Sequence, residues 1–150
     1  MSEIFDEVKA FFAYEDWPVQ VSASEQLLET QFKGEQGQWT CYAQANEEAH
    51  QFVFYSVCPT LVPSAKRAAM AEFISRANFG LMIGNFELNF DDGEVRYKTS
   101  LDVEDTAINF NLIKNLVYAN ITLMDHYYGG IMKVIYSDKT AAELIEEIEN

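Results

Sequence analysis

Apolar positions along this chain change period several times, and each change marks an element. Ile4, Phe5, Val8, Phe11 and Phe12 recur at helical spacing behind Ser2, a candidate N-cap, and Asp16-Trp17-Pro18 stops the run because proline cannot continue a helix. From Leu27 to Cys58 the period becomes two, and Gly34-Glu-Gln-Gly37 and Asn46-Glu-Glu-Ala49 divide the stretch into three strands. If Gly34 opposes Gly37, Phe32 meets Trp39, Thr30 meets Cys41 and Leu28 meets Ala43. If Ala45 opposes His50, Ala43 meets Phe52 and Cys41 meets Phe54. Both hairpins then turn their apolar residues to one common face, which a slip of one residue would not do.

Helical spacing returns after Pro63, where Ala65, Ala69, Met70, Phe73, Ile74 and Ala77 trace one face until Gly80. From Gly84 to Leu101 two alternating runs flank Asp92-Gly93. Read as a two-residue turn, this dipeptide sets Phe90 opposite Val95, Leu88 opposite Tyr97 and Phe86 opposite Thr99, with Glu87 opposite Lys98 and Asn89 opposite Arg96 on the solvent side. A segment from about Thr106 to Ile135 is apolar around most of its circumference. Its polar residues, Asn111, Lys114, Asn115, Thr122, Asp125 and Lys133, form a narrow stripe. Such a helix is covered on more than one side, by the sheet and by another helix or a second subunit. Gly129-Gly130 is a candidate bend or break within it. Thr140 and Glu143 have capping-box spacing ahead of Ala141, Leu144, Ile145 and Ile148, so a short amphipathic helix follows, its Glu146, Glu147 and Glu149 outward.

The order is α-β-β-β-α-β-β-α(-α). It predicts an α+β fold, a five-stranded antiparallel sheet with helices on one face, and residues 1–150 as one domain. The other face of the sheet is then solvated or bound.

Charge narrows the partners. With 24 acidic against 10 basic residues the formal net charge is −14, which disfavours nucleic acid and anionic membrane, since both need positive charge to displace counterions. The acids crowd toward the two ends and leave the middle third balanced. Cys41 and Cys58 are too few for a disulfide framework and read as buried thiols. The acidic N-terminus lacks the basic character of a signal peptide, and no apolar run is long enough to span a bilayer, so a cytoplasmic location is expected.

The search for chemistry returns little. His50 and His126 have no second histidine or cysteine at metal-ligand spacing, so neither a metal nor another cofactor is expected. Asp125 and His126 are neighbours on a helix and point about 100° apart, which keeps that carboxylate from orienting that imidazole. Gly80-Leu-Met-Ile-Gly84 precedes a strand where a phosphate loop would precede a helix. Asp91-Asp92 and Asp102-Val-Glu-Asp105 lack the spacing of a calcium loop and read as turns and a helix start. No enzymatic activity is expected.

What stands out is aromatic. Tyr42, Val53, Tyr55 and Val57 fall on the sheet face opposite Phe52 and Phe54, with Tyr42 across from Val53 and Tyr55 diagonal to it. They form a small apolar patch that is either plain cross-strand pairing or a partner-binding surface.

The segment Arg76-Ala-Asn-Phe-Gly-Leu-Met-Ile-Gly-Asn-Phe-Glu-Leu-Asn-Phe-Asp-Asp-Gly-Glu-Val-Arg-Tyr-Lys-Thr-Ser100, taken with the order of elements, resembles the YbjN-like bacterial family. Cys58-Pro59 ahead of the middle helix and Asp125-His126-Tyr127-Tyr128 near the end of the long one match its layout. The family is similar in fold to type III secretion chaperones, and its members are labelled sensory transduction regulators. The resemblance implies a non-enzymatic protein that holds a segment of another protein on its sheet face or long helix, and it admits a homodimer, the sequence leaving monomer and dimer both open. It supplies no catalytic residues. The competing reading is a small-molecule binder or enzyme, with a pocket between the long helix and the sheet near Tyr97, Tyr127 and Tyr128. A purely structural subunit is the third.

Overall fold

A computed structural model describes residues 3–150. The first helix, α1 (Glu3–Tyr14), buries Ile4, Phe5, Val8, Phe11 and Phe12, the five residues its spacing predicted. Ser2, its expected cap, lies outside the described residues. Glu47 does capping work from a distance: its carboxylate accepts the amides of Ile4 and Phe5 at 3.1 and 2.8 Å. An anion at a helix N-terminus satisfies free amides and meets the positive end of the helix dipole. At the other end Asp16 takes a positive φ of 54°, and the Trp17 amide reaches back to the Phe12 carbonyl at 2.9 Å. That is the helix-ending geometry glycine usually supplies.

Six strands follow: β1 (Gln20–Ser22), β2 (Leu27–Lys33), β3 (Gln38–Asn46), β4 (Gln51–Val57), β5 (Asn85–Leu88) and β6 (Val95–Asp102). They form one antiparallel sheet in the order β1-β2-β3-β4-β6-β5. The sequence predicted five. The additional strand, β1, is three residues long, too short for a period of two to declare itself.

The β2–β3 register is the predicted one, with Phe32 opposite Trp39, Thr30 opposite Cys41 and Leu28 opposite Ala43. The other two hairpins are corrected by two residues. Ala45 pairs with Phe52, Ala43 with Phe54 and Cys41 with Ser56, where His50, Phe52 and Phe54 were expected. Likewise Leu88 pairs with Val95, Phe86 with Tyr97 and Glu87 with Arg96, and Phe90 lies exposed in the loop. The cause is loop length: both connections hold four residues between their last paired positions, closed by a residue in the left-handed region, His50 (φ 58°) and Gly93 (φ 86°). The β1–β2 loop, ending at Gln26 (φ 52°), repeats the device. Asparagine begins two of these loops, the Asn46 side chain accepting the Ala49 amide and that of Asn89 the Asp91 amide. A slip of two keeps every side chain on its predicted face.

Helix α2 (Arg67–Phe79), entered through a 3-10 turn at Ser64–Lys66, buries Met70, Phe73, Ile74 and Ala77. Ala65 and Ala69, assigned to the same face, are exposed: Ala65 lies in the 3-10 turn, where the angular step differs, and Ala69 sits about 90° around α2 from the middle of its buried stripe. Asn78 brackets β5 at its free edge, accepting the Phe86 amide at 2.7 Å and donating to the Phe86 carbonyl at 3.1 Å, as a neighbouring strand would.

Helix α3 (Phe110–Tyr136) starts at Asn109, whose side chain accepts the Leu112 amide, and runs 27 residues without a break at Gly129-Gly130. Those glycines serve packing: a Cβ at Gly130 would strike Ile148 and Phe73 from the two flanking helices. The last helix, α4 (Ala141–Glu149), carries the predicted capping box between Thr140 and Glu143. All four helices lie on one side of the sheet, over Leu28, Trp39, Cys41, Phe52, Phe54, Phe86, Val95 and Tyr97. Cys41 and Cys58 are free and buried, and burial pushes the Cys41 thiol up to about 12.

One polar residue sits in the middle of this core. Asn120, fully buried, donates to the carbonyls of Phe54 and Tyr97 at 2.9 and 3.1 Å and to Thr99 Oγ1 at 3.1 Å, and accepts from Ser56 Oγ at 2.6 Å. It ties α3 to β4 and β6.

A candidate protein-binding face on the sheet

Because strand side chains alternate and the helices cover one face, the residues between the core positions form a second face without a helix over it. Paired positions run across it in rows. One row reads Gln20, Glu29, Tyr42, Tyr55, Lys98, Asn85 from β1 to β5. The next reads Gln31, Thr40, Val57, Arg96, Glu87, and on the other side lie Leu27, Gln44, Val53 and Ser100. The structure thus places Tyr42, Val53, Tyr55 and Val57 on this face, all half-buried. Their pairing is corrected by the longer loop: Tyr42 stands directly opposite Tyr55, Val53 opposite Gln44 and Val57 opposite Thr40.

The charged members of these rows are Glu29 on β2, Arg96 and Lys98 on β6, and Glu87 on β5. On the β6 side the Arg96 guanidinium lies over the Tyr55 ring at 4.2 Å, and Glu87 pairs with Arg96 at 2.7 Å and Lys98 at 2.9 Å. Burial alone would raise the Glu87 carboxyl; the hydrogen bonds and charges of Lys98 and Arg96 outweigh it and hold the group below the usual carboxylate range. On the β2 side, burial, with Glu29 and Glu94 nearby, pushes the Tyr42 hydroxyl up. The centre is therefore aromatic and aliphatic, with two cations sharing the Glu87 carboxylate on one flank and Glu29 on the other. A cavity of about 310 Å³ opens beside Val53, lined also by Gln44, Gln51, Ser100 and Asp102.

The alternative pocket at Tyr97, Tyr127 and Tyr128 is filled by rings. Phe86 meets Tyr97 edge-on at 4.7 Å and Tyr127 at 5.5 Å, and Tyr128 stacks on Trp39 at 5.5 Å. The Tyr97 hydroxyl donates to the Ile83 carbonyl, and that of Tyr127 to Glu149 at 2.7 Å. Asp125 is engaged elsewhere, accepting the Glu35 and Gln36 amides at 3.0 and 2.9 Å. Among the described residues no cluster of three histidine, cysteine or carboxylate side chains is arranged to hold a metal ion. No described helix is long and apolar enough to cross a membrane.

Sequence reasoning missed a second exposed apolar group. Phe79 and Met82 are 95% and 98% exposed, and Ile83 is more than half exposed, between α2 and β5. The available signal was the run Phe79-Gly-Leu-Met-Ile83, apolar residues outside any period, which the glycines on either side made look like plain punctuation.

An antiparallel sheet helix-covered on one side and bare on the other defines an α+β domain. A chain of the ExsC-ExsE complex superposes with a TM-score of 0.60 at 8% identity, over 84% of this chain and 91% of that one. A chain of the HopA1-SchA chaperone-effector complex gives 0.52 at 11% identity, over 83% and 93%. The likeness to the secretion-chaperone fold inferred from the sequence is borne out at the level of fold. YbjN from E. coli, titled a putative transcription regulator, gives 0.58 at 13% identity, over 87% of each chain. The chain belongs to the YbjN family, described as "Putative bacterial sensory transduction regulator", whose profile matches residues 5–131. No curated relative matches it in sequence.

Proposed function

We propose that this protein is a non-enzymatic protein-binding module, chaperone-like or regulatory, that holds an extended segment of a partner protein against the bare face of its sheet. The observation that carries this reading is the row Glu29, Tyr42, Tyr55, Lys98: two tyrosines at directly paired positions of β3 and β4, uncovered by any described helix and flanked by Glu29 and Lys98. Tyrosine suits such a surface because it contributes area to a contact while its hydroxyl stays wet. Val53 and Val57 extend the strip along β4, and the cavity beside Val53 offers one side-chain pocket. Membership of the YbjN family and a fold shared with a chaperone–effector complex support a binding or regulatory role.

The double variant Tyr42→Ser/Tyr55→Ser tests it. Each ring, with its phenolic hydroxyl, gives way to a small polar side chain and no core position changes, so the fold is retained. A partner retained on the immobilised parent protein, identified by mass spectrometry and then purified, is expected to bind the variant at least tenfold more weakly by calorimetry. Equal affinity for parent and variant removes the sheet-face reading.

A further inference from the structure

The family profile ends at residue 131, and α4 lies beyond it. Nine residues are too few for a helix to persist alone in water, where about 12–15 are marginal. What holds α4 is its capping box and its seat. Ala141 and Leu144 are buried against α2 and α3, and Ile145 and Ile148 pack beside them. Gly130 leaves the room Ile148 occupies, next to the ring of Phe73. Two polar ties complete the attachment: Tyr127 to Glu149 at 2.7 Å, and Lys66 Nζ to the Ser137 carbonyl at 3.0 Å. The Lys139–Glu147 pair is about half exposed and lies within the segment itself, so it does not bind α4 to the rest of the chain. Along the other flank the seam is open, a cavity of about 280 Å³ lined by Gln36, His126, Lys133, Leu144, Glu147 and Ile148.

We propose that α4 is a displaceable internal ligand, and that the α2–α3 groove beneath it is a second protein-binding site for an amphipathic helix of the same chemistry. The pattern is Ala141, Leu144, Ile145 and Ile148, apolar residues at i, i+3, i+4 and i+7, which is how a helix fills a groove. The outer face of α4 is acidic, and the cations at the groove's rim are Lys66, beneath the linker, and Lys133, across the cavity from Glu147. In a chain with only 10 basic residues, these two favour an acidic helix over a basic one. The groove lies on the helical side of the molecule, so this site is independent of the sheet face and stands or falls separately from it.

The test sets α4 in cis against α4 in trans. A fluorescent peptide of residues 138–150 is titrated into the full-length protein and into its Leu144→Glu variant, whose own helix no longer fits the groove. The expected result is at least tenfold tighter binding to the variant, abolished when the peptide carries the same substitution. Ile148→Glu, at a less buried position, repeats the measurement should Leu144→Glu fail to fold. Hydrogen exchange of the unmodified protein gives a second readout: amides of α4 are expected to exchange at least 100-fold faster than those of residues 116–131 in α3. Equal peptide affinity for parent and variants, unfolding of both variants, or α4 amides exchanging together with those of α3 each overturns the proposal.

Discussion

Replacing Asn120 by alanine destabilises the protein by about 2–4 kcal/mol, a small cavity plus the loss of a buried network of four hydrogen bonds. The substitution removes the second donor to the Phe54 and Tyr97 carbonyls, which also accept within the β4–β6 ladder, and the acceptor for Ser56 Oγ, all at once and away from water. Thr99 Oγ1 keeps one partner, the Leu116 carbonyl at 3.1 Å, so the damage concentrates on the buried Ser56 hydroxyl. A domain of this size is stable by roughly 5–15 kcal/mol, so the loss is a large fraction of the total. The check is urea denaturation, where the midpoint should fall with little change in slope. A midpoint within a few tenths of molar of the parent would mean that water enters and replaces the amide.

Asn120→Asp separates hydrogen bonding from volume. A carboxylate of nearly the same shape would aim its charge at two carbonyl oxygens inside the core, so burial and those dipoles raise its pKa in the folded state above the unfolded value of about 3.9. The folded protein then holds this proton to higher pH than the unfolded chain does. Stability relative to the parent is therefore greatest below about pH 4 and declines as pH rises toward the folded-state pKa, where the loss is complete. The quantity to measure is the difference between variant and parent at each pH, because a net charge of −14 makes both proteins respond to acid.

How far the sequence reached follows from what each device depends on. Element type and facing depend on local period, and these were legible: the five buried residues of α1, the long helix and the bare face bearing Tyr42, Val53, Tyr55 and Val57 all lie where alternation put them. Cross-strand partners depend on loop length. Two of the three four-residue loops end on Gln26 and His50, residue types that do not announce a left-handed conformation, so the pairing of Tyr42 with Tyr55 was not readable. Asn120 escaped for a different reason. It falls within the buried face of α3, between Leu116, Val117, Ile121 and Met124, and only the three-dimensional approach of β4 and β6 shows that its amide is needed there. The same holds for Glu47 at the start of α1 and Asn78 at the edge of β5, which are long-range caps with no local pattern. The exposure of Phe79 and Met82 was equally out of reach, since it depends on where the rest of the chain does not pack.

Gly93→Ala and His50→Gly are expected to move stability in opposite directions, although both residues end a four-residue hairpin loop in the left-handed region. At Gly93 the φ is 86°, and a Cβ would overlap the carbonyl, amide nitrogen and carbonyl carbon of Val62. All three are backbone atoms, so no side chain can swing aside. The overlap also threatens the hydrogen bond from the Val62 amide to the Gly93 carbonyl at 2.8 Å, which pins the loop beside the entry to α2. Conformational strain of about 1–2 kcal/mol together with roughly 1 kcal/mol for the hydrogen bond gives a loss of about 2–3 kcal/mol, less a few tenths returned by the stiffer unfolded chain. His50 is already in the strained conformation at φ 58°, with an exposed side chain and a carbonyl that accepts the Val103 amide at 2.8 Å. Glycine keeps that backbone contact and relieves the strain, against the greater freedom it gives the unfolded chain, for a net gain of roughly 0.5–1 kcal/mol. Urea midpoints of the two variants against the parent decide the matter. A neutral Gly93→Ala would mean that residue 93 does not hold a left-handed conformation against the Val62 backbone.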